Sequence, residues 1–299
     1  MSPDTPIAFA GAPIDLAENQ RTTEELTAFT KDKRAKAIVL NEGKILVGED
    51  GKLIDLHPTA LIGKNIYDPG PLFLGLDVDI PLFAFSLAAP EEADLFGDRV
   101  SFQSLRKLAS MLGSHDLSLA GRAKSLFDWH RAHKFCAMCG KESKPKSGGV
   151  SRRCPNCSTD HFPRVNPVAI MLVINGDKCL LGRSAAWPEG AFSALAGFVS
   201  AGETIEEACQ REVFEEVGIK VTKPVYKFCQ PWPYPSQLMM GMYCFTDETE
   251  MTIDTKEIAE ARWFTKETIK GVFDGANTDF VCPPDFTIAH QLMKEWVNS

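Results

Sequence analysis

The sequence lacks any run of roughly 18–20 apolar residues, the length that a helix needs to span a bilayer. Its most apolar stretch, residues 71–90, contains Asp77 and Asp79 and is interrupted by Pro81. The N-terminus has neither the basic start nor the apolar core of a signal peptide. The last three residues form no lipidation or peroxisomal signal. These absences predict a cytoplasmic protein with no membrane partner.

The sequence also has no excess of positive charge. Its 32 Lys and Arg residues are outnumbered by 40 Asp and Glu residues, which gives a formal net charge of −8. A broad basic surface for duplex nucleic acid is therefore not expected, because such binding depends on counterion release from many phosphates. Low-complexity disorder is excluded as well, since 44% of the residues are hydrophobic and 24% are charged. A chain of 299 residues corresponds to about two domains of ordinary size.

The nine cysteines fall into two groups. Two C-x-x-C pairs are separated by residues 140–153, and they consist of Cys136, Cys139, Cys154 and Cys157. This spacing is typical of a zinc ribbon, in which two knuckles supply four thiolates to one structural zinc ion per chain. The other five cysteines have apolar neighbours and are predicted to be buried, reduced thiols: Cys179, Cys209, Cys229, Cys244 and Cys282.

Two other interpretations of the cysteine segment remain open. One C-x-x-C pair could perform redox chemistry without a metal. Alternatively, basic residues such as Arg152 and Arg153 could read nucleic acid, although a solvated charged surface is the simpler explanation. Gly140 supplies the backbone freedom that a metal-binding knuckle needs.

Hydrophobic patterns predict mixed α/β domains on both sides of the cysteines. Hairpins are expected around residues 41–43 and 175–177, and a strand pair is expected within residues 72–87. The segment 121–133 is predicted to be a helix, as is 286–296. No internal sequence repeat is detected. We therefore expect domains at residues 1–130, 131–162 and 163–299.

A helix predicted over residues 204–217 carries a cluster of carboxylates. Glu212, Glu215 and Glu216 have i, i+3 and i+4 spacing, so they share one face of the helix. Like charges at these spacings destabilise an isolated helix, whereas a divalent cation reverses the effect; oxygen ligands of this kind suit Mg²⁺ or Mn²⁺. For Glu206 and Glu207 a solvated face is the preferred interpretation.

Residues 197–219 match the pattern G-x5-E-x7-R-E-U-x-E-E-x-G-U, where U is aliphatic, at every specified position. This segment is similar to the Nudix box of the Nudix hydrolases. The resemblance implies an α/β/α sandwich, with two or three Mg²⁺ or Mn²⁺ ions bound by Glu212, Glu215 and Glu216 and by the carbonyl of Ala196. It also implies that Arg211 and Glu203 form a structural ion pair.

Downstream of the box, the segment 230–237 places Trp232 and Tyr234 among three prolines. Taken alone, this loop could simply cap the core. Together with the cysteine pairs and the box, it resembles the NudC-type NADH pyrophosphatases, which have the motif S-Q-P-W-P-F-P-x-S. The chain departs from that motif at Cys229, Tyr234 and Gln237. These departures leave the fine substrate preference open.

The resemblance implies an enzyme that hydrolyses NADH or NAD⁺ to nicotinamide mononucleotide and AMP, and that removes NAD caps from RNA 5′ ends. It adds Glu257 to the metal ligands and indicates that the protein is a homodimer. Substrate contacts are implied for Phe162, Phe198, Arg106, Ala289, Gln230, Pro231, Trp232, Pro233, Tyr234, Pro235, Ser236 and Gln237. For Arg106 an ordinary surface arginine is an equally good interpretation.

Two alternative functions remain. The chain could be a Nudix hydrolase of broader range that acts on ADP-ribose or dinucleoside polyphosphates. It could also be a non-catalytic sensor of nucleotides or RNA, although a protein that only binds has little need of the complete set of box carboxylates.

Overall fold

A computed structural model describes residues 7–88, 96–97, 99–276 and 280–299 of the chain. These residues form two compact units. We call residues 8–165 with 232–236 the N-terminal unit, and residues 166–231 with 237–299 the C-terminal unit. Parts of the predicted domain 1–130, namely residues 1–6, 89–95 and 98, lie outside the described residues.

The strands are β1 Lys36–Asn41, β2 Lys44–Gly48, β3 Leu72–Asp77, β4 Ile80–Ser86, β5 Val100–Gln103, β6 Lys144–Lys146, β7 Ser151–Arg153, β8 Asp160–His161, β9 Asn166–Asn175, β10 Lys178–Ser184, β11 Leu195–Phe198, β12 Thr222–Trp232, β13 Gln237–Phe245 and β14 Ile258–Thr265. The helices are α1 Thr23–Lys31, α2 Leu105–Leu108, α3 Ser114–Ala132, α4 Ile205–Val217, α5 Lys266–Phe273 and α6 Ile288–Val297.

The C-terminal unit is built on a six-stranded sheet in the order β12-β13-β9-β10-β14, with β11 paired to β9. Side chains alternate across the central strand β9, as strand geometry requires. Met171 and Val173 pack in one core with Val213 of α4. Leu172 packs on the opposite face with Leu292 of α6. The predicted α/β/α sandwich is therefore confirmed.

The N-terminal unit contains a five-stranded sheet in the order β3-β4-β1-β2-β5. On one face, Ala37 and Val39 of β1 form a core with Phe73 and Phe83, against which Leu26 of α1 packs. Strands β1 and β4 run parallel, as do β9 and β13 in the other sheet. The two sheets share one strand order, so the chain contains a repeat that its sequence does not reveal.

The cysteine segment forms a small sheet in the order β6-β7-β8. In the first knuckle, the N–H of Gly140 donates to the carbonyl of Cys136, and Gly140 has a φ of 71°, as predicted. In the second knuckle, Ser158 takes the same role with a φ of 59° and donates to the carbonyl of Cys154. A non-glycine residue thus accepts the left-handed conformation in one of the two turns.

Most predicted elements are present, with some corrections. Both hairpins and the terminal helix form where expected, whereas α3 begins at Ser114, about two turns before the predicted start. Of the five cysteines predicted to be buried, Cys229 and Cys282 are only half-buried. No helix in the described part of the chain combines the length and apolarity that crossing a bilayer requires.

Candidate active site

Helix α4 begins and ends at the residues that local chemistry favours. Thr204 accepts from the N–H of Glu207 while the carboxylate of Glu207 accepts from the N–H of Thr204, which is a complete capping box. Gly218 ends the helix in the left-handed conformation, with a φ of 73°. Cys209 and Val213 are fully buried beneath the helix, as the predicted apolar stripe requires. The carboxylates lie on a neighbouring face, about 100° around the helix axis from this stripe.

Arg211 connects the loop before α4 to the helix. Its guanidinium donates to both carboxylate oxygens of Glu203, from Nε at 2.7 Å and from Nη2 at 2.8 Å, which confirms the predicted ion pair. These hydrogen bonds, together with one from the N–H of Ser200, lower the pKa of Glu203 to about 2. The same guanidinium donates to Glu212 at 2.7 Å and to Glu215 at 3.0 Å. Arg211 thus orients two of the predicted metal ligands.

Gly197 allows Glu212 to approach the backbone of β11. A Cβ atom at Gly197 would lie 1.9 Å from the carboxyl carbon of Glu212, which is far closer than any real contact. The side chain of Glu212 therefore occupies the space that every other residue type at position 197 would fill. Ala196, the predicted carbonyl ligand, precedes Gly197 on the same strand and is exposed.

Glu216 lies at the centre of the carboxylate cluster. Burial raises its pKa to about 8, and the charges of Glu212, Glu257 and Glu215 contribute in the same direction. Its Oε2 atom is buried and has no hydrogen-bond partner among the residues that the structure describes. An unpartnered buried carboxylate oxygen among like charges fits a divalent cation, which would supply the missing positive charge. Glu257, predicted from a separate segment, is exposed and joins the same cluster electrostatically.

The four predicted zinc ligands lie together. Their sulfur atoms are all within 4.8 Å of one another, and in the described part of the chain no other group of His, Cys, Asp or Glu side chains meets this criterion. The Sγ atoms of Cys136 and Cys157 are 3.5 Å apart, as are those of Cys139 and Cys154. Sulfurs on a tetrahedral zinc ion lie about 3.8 Å apart, so the donor set fits zinc.

The aromatic loop, which we define as residues 232–236, packs within the N-terminal unit. The ring of Tyr234 lies between two cations, with the guanidinium of Arg106 at 4.7 Å and the ammonium of Lys124 at 4.9 Å from its centroid. Phe9 meets the rings of Trp232 and Tyr234 edge-on, at centroid distances of 5.8 and 6.4 Å. The contact with Tyr234 places Arg106 beside the predicted substrate loop.

The other predicted substrate residues have varied surroundings. Phe198 and Phe162 are exposed, at 54% and 69%. Gln230 is buried and connects β12 to α6, because its amide donates to the carbonyl of Phe286 and accepts from the N–H of Ile288. Ala289 is part of the core under α6, where its methyl group packs. In the loop and its flanks, Pro231 and Pro235 are exposed, Pro233 is buried, and Ser236 and Gln237 are half-buried.

Sequence reasoning missed three residues at these sites. Phe9 and Lys124 surround Tyr234 although they are distant from it in the chain, and no local pattern indicates either contact. Lys124 also donates to the carbonyl of Pro233 at 2.9 Å. His161 stands outside the two C-x-x-C pairs, yet its Nε2 lies 3.2 Å from the Sγ of Cys136.

Comparison with known protein families divides the chain into three matches. Residues 164–281 match the NUDIX domain. Residues 34–129 match the NADH pyrophosphatase-like rudimentary NUDIX domain. Residues 131–162 match the NADH pyrophosphatase zinc ribbon domain.

Individual relatives extend these matches. The chain is 34% identical to the NAD-capped RNA hydrolase NudC of Deinococcus radiodurans over 289 residues, which cover 93% of this chain and 95% of that protein. It is 40% identical to human mitochondrial NAD(P)H pyrophosphatase NUDT13, over 84% of this chain and 74% of that one. With human NAD-capped RNA hydrolase NUDT12 it shares 45% identity over 62% of its length, but this match spans only 43% of the human protein. The chain therefore belongs to the Nudix family, among the NudC-type proteins that carry a zinc ribbon.

Proposed function

We propose that the chain hydrolyses the diphosphate bond of NADH or NAD⁺ to nicotinamide mononucleotide and AMP, and that it removes NAD caps from RNA 5′ ends. The observation that carries this proposal is the carboxylate cluster, in which Glu212, Glu215 and Glu257 surround the buried Glu216. The family relationship adds support, because relatives are named as NAD-capped RNA hydrolases and as an NAD(P)H pyrophosphatase.

The catalytic cations are proposed to be two or three Mg²⁺ or Mn²⁺ ions. Glu212, Glu215, Glu216 and Glu257 would hold them, with the carbonyl of Ala196. Such ions neutralise charge on the diphosphate and lower the pKa of bound water. The chain itself contributes orientation, since Arg211 fixes two carboxylates by hydrogen bonds. One glutamate that is not fully committed to metal accepts the proton of the attacking water.

The substrate is proposed to be held by aromatic rings. Phe198 is exposed and lies two residues after the predicted Ala196 ligand on β11, a suitable place for stacking on a nicotinamide ring. Trp232 and Tyr234 present the faces of the aromatic loop, and Arg106 beside Tyr234 adds a positive charge for a phosphate. Tyr234 retains the aromatic face that the family motif has as Phe.

The test is replacement of Glu216 by Gln, with Glu206→Gln as the matched control. Glu206 lies on the same helix, is exposed, and is outside the carboxylate cluster. We expect Glu216→Gln to lower the turnover of NADH at least about 100-fold, which corresponds to about 3 kcal/mol of lost transition-state stabilisation. Zinc content and helical content should stay unchanged. Turnover near the wild-type level in Glu216→Gln would refute the proposal.

The substrate range is tested separately. Specificity constants for NADH, NAD⁺, ADP-ribose, diadenosine polyphosphates and NAD-capped RNA, each with Mg²⁺ and with Mn²⁺, distinguish a NAD(H) diphosphatase from a Nudix hydrolase of broader range. Cys229 and Gln237, which stand where the family motif has Ser, make this comparison necessary. Tight NADH binding without release of AMP would instead indicate a sensor.

We further propose that the protein is a cytoplasmic homodimer with domains at residues 1–130, 131–162 and 163–299. The five cysteines outside the zinc ribbon form no disulfide with one another, which is in keeping with a reducing compartment. Four apolar side chains at or near the zinc ribbon are exposed by 61–75%, as expected of a surface that a second copy covers: Phe135, Met138, Phe162 and Val165. Light scattering on purified protein tests the dimer, and a fully active monomer would refute it.

A further inference from the structure

The zinc site contains a histidine that the four-cysteine motif does not include. His161 follows the second C-x-x-C pair and is half-buried, and its Nε2 lies 3.2 Å from the Sγ of Cys136. Cys136 itself is buried. Two other sulfurs also contact polar side chains, since Thr159 lies 3.2 Å from Cys157 and Asn156 donates to Cys139 at 3.6 Å. Of these three contacts, the one from His161 connects a sulfur to a residue of a strand, β8.

The geometry identifies His161 as a hydrogen-bond donor and not as a fifth ligand. Four sulfurs already complete the tetrahedral shell of a zinc ion. A zinc-bound thiolate can only accept, so the proton in this contact belongs to Nε2.

The backbone next to His161 is fixed to the ribbon. His161 pairs with Arg152 and Asp160 pairs with Arg153 in the antiparallel ladder of β7 and β8. The carboxylate of Asp160 also accepts from the guanidinium of Arg153 at 2.9 Å. Consecutive side chains of an extended chain point in opposite directions. Phe162 follows the end of β8 and precedes Pro163, which favours an extended backbone at position 162. With the ring of His161 turned towards the sulfurs, the side chain of Phe162 is then expected to point outwards, and it is 69% exposed.

We propose that His161 is a positioning residue: its Nε2–H donates to the zinc-bound Cys136 thiolate and thereby sets the direction of Phe162. The zinc ion then has a role beyond folding the ribbon, because it anchors an aromatic side chain that the substrate contacts. The second half of this inference rests on the proposed function and on the substrate contact that the family resemblance implies for Phe162. The first half, the hydrogen bond to sulfur, is independent of any activity.

Two variants of the full-length protein test the hydrogen bond. His161→Phe keeps a planar ring without a donor, and His161→Gln places an amide N–H near the position of Nε2. Removing such a partner of a metal ligand typically weakens metal binding 10–100-fold. We expect His161→Phe to release zinc to a chromophoric chelator at least about 10-fold faster than the wild type. His161→Gln should stay within about 3-fold of the wild type, as should the control Lys144→Gln, which alters an exposed ribbon side chain.

Cadmium NMR of the metal-exchanged protein provides a second readout. The cadmium resonance should remain that of a four-sulfur site in the wild type and in both variants. A shift towards a mixed nitrogen and sulfur site in the wild type alone would show that His161 is a ligand, and would overturn the proposal. Equal zinc release from His161→Phe and the wild type would overturn it as well. If His161→Phe cannot be purified with zinc, His161→Asn, whose amide is too short to reach Sγ, takes its place.

Kinetics test the link to Phe162. The KM for NADH should rise several-fold in His161→Phe, with a smaller change in kcat, and Phe162→Ala should show the same pattern. His161→Gln should restore the KM. An unchanged KM in His161→Phe, alongside faster zinc release, would refute the positioning role and leave only the bond to sulfur. A wild-type protein without NADH turnover would refute the proposed function, while the zinc measurements would still decide the hydrogen bond.

Discussion

The two large sheets of this chain have one topology and different chemistry. Strands β3-β4-β1-β2-β5 of the N-terminal unit correspond in order to β12-β13-β9-β10-β14 of the C-terminal unit. Each sheet has a parallel pair at its centre and is followed by two helices, α2 and α3 in one unit and α5 and α6 in the other. The match of residues 34–129 to a rudimentary NUDIX domain agrees with this correspondence.

The two units differ in the segment between β10 and β12 of the C-terminal unit, which corresponds to the segment between β2 and β3 of the N-terminal unit. In the C-terminal unit, this segment contains β11 and α4, which bear Gly197 and the box glutamates. In the N-terminal unit, the corresponding segment forms only a short 3-10 turn, Pro58–Ala60. Helix α1, which precedes the first strand, packs on the core in its place through Leu26 and Phe29. Among the described residues, the segment with β11 and α4 thus distinguishes the sheet that carries a carboxylate cluster from the sheet that does not.

Removal of zinc is predicted to have the largest effect, because the zinc ribbon depends on the metal for its folding whereas the C-terminal sheet does not. The ribbon has only three short strands, so zinc binding supplies most of its folding free energy. Incubation with a strong chelator should abolish hydrogen-exchange protection across residues 134–161. Protection of β9 and β13 should be retained, because the core around them is built from apolar side chains. Loss of protection in both regions, or in neither, would contradict this prediction, and re-addition of zinc is the control for reversibility.

Gly197→Ala is expected to give the second largest effect, confined to the C-terminal unit. The new Cβ would collide with the carboxyl group of Glu212, and either the side chain or β11 must move. We expect NADH turnover to fall about 100-fold, as is typical when a positioning contact is displaced by about 1 Å. Gly113→Ala is the matched control, because a Cβ there meets no atom within 4 Å. Activity near wild type in Gly197→Ala would show that Glu212 is not required in this position.

The same contrast explains which features the sequence could predict. The ribbon and the α4 segment were predicted because each is encoded locally, by ligand spacing in one case and by helical periodicity with a capping residue in the other. The topological repeat was missed, since a core accepts different apolar residues at equivalent positions. Ala37 in β1 and Met171 in β9, each four residues before the asparagine that ends its strand, are buried at equivalent positions although the two side chains differ in size.

Long-range polar contacts were the other source of error. Arg152 lies in a segment rich in basic residues and was interpreted as solvated, yet it is fully buried. Its guanidinium donates to Ser143, to the ring of His130 and to Asp68. The last two partners are 22 and 84 residues away, so no local pattern could reveal them. This network also excludes Arg152 as a surface residue for nucleic acid.

The third prediction concerns acid sensitivity, which should differ between the units. His130 donates from Nε2 to the carbonyl of Gly149 and accepts at Nδ1 from Arg152, so the folded protein holds it neutral. Burial is the main cause that lowers its pKa to about 4. The unfolded chain, with a pKa near 6.5, takes up a proton that the folded chain does not. Stability should therefore fall as the pH drops from about 6.5 to 4, by up to about 3 kcal/mol.

Hydrogen exchange measured across this pH range checks the prediction. As the pH falls, amides of α3 near His130 should lose protection faster than those of β9. In His130→Gln, protection of the two elements should change with pH at the same rate. The comparison between variant and wild type at each pH corrects for acid release of zinc, which affects both proteins. If protection of α3 changed with pH in the same way in the wild type and in His130→Gln, His130 would not be the cause of the acid sensitivity.

The smallest effect is expected at the helix caps, where the two units are most alike. Both α1 and α4 begin with a capping box, formed by Thr22 with Glu25 and by Thr204 with Glu207. Replacing either threonine by Ala should cost about 1 kcal/mol of stability, since one N–H of the first turn loses its acceptor. Only Thr204→Ala should also reduce NADH turnover, because α4 carries the carboxylates whereas α1 carries none of the proposed site residues. Urea unfolding and steady-state kinetics on both variants measure the two effects. Equal losses of turnover would mean that the N-terminal sheet supports catalysis as directly as the C-terminal sheet does.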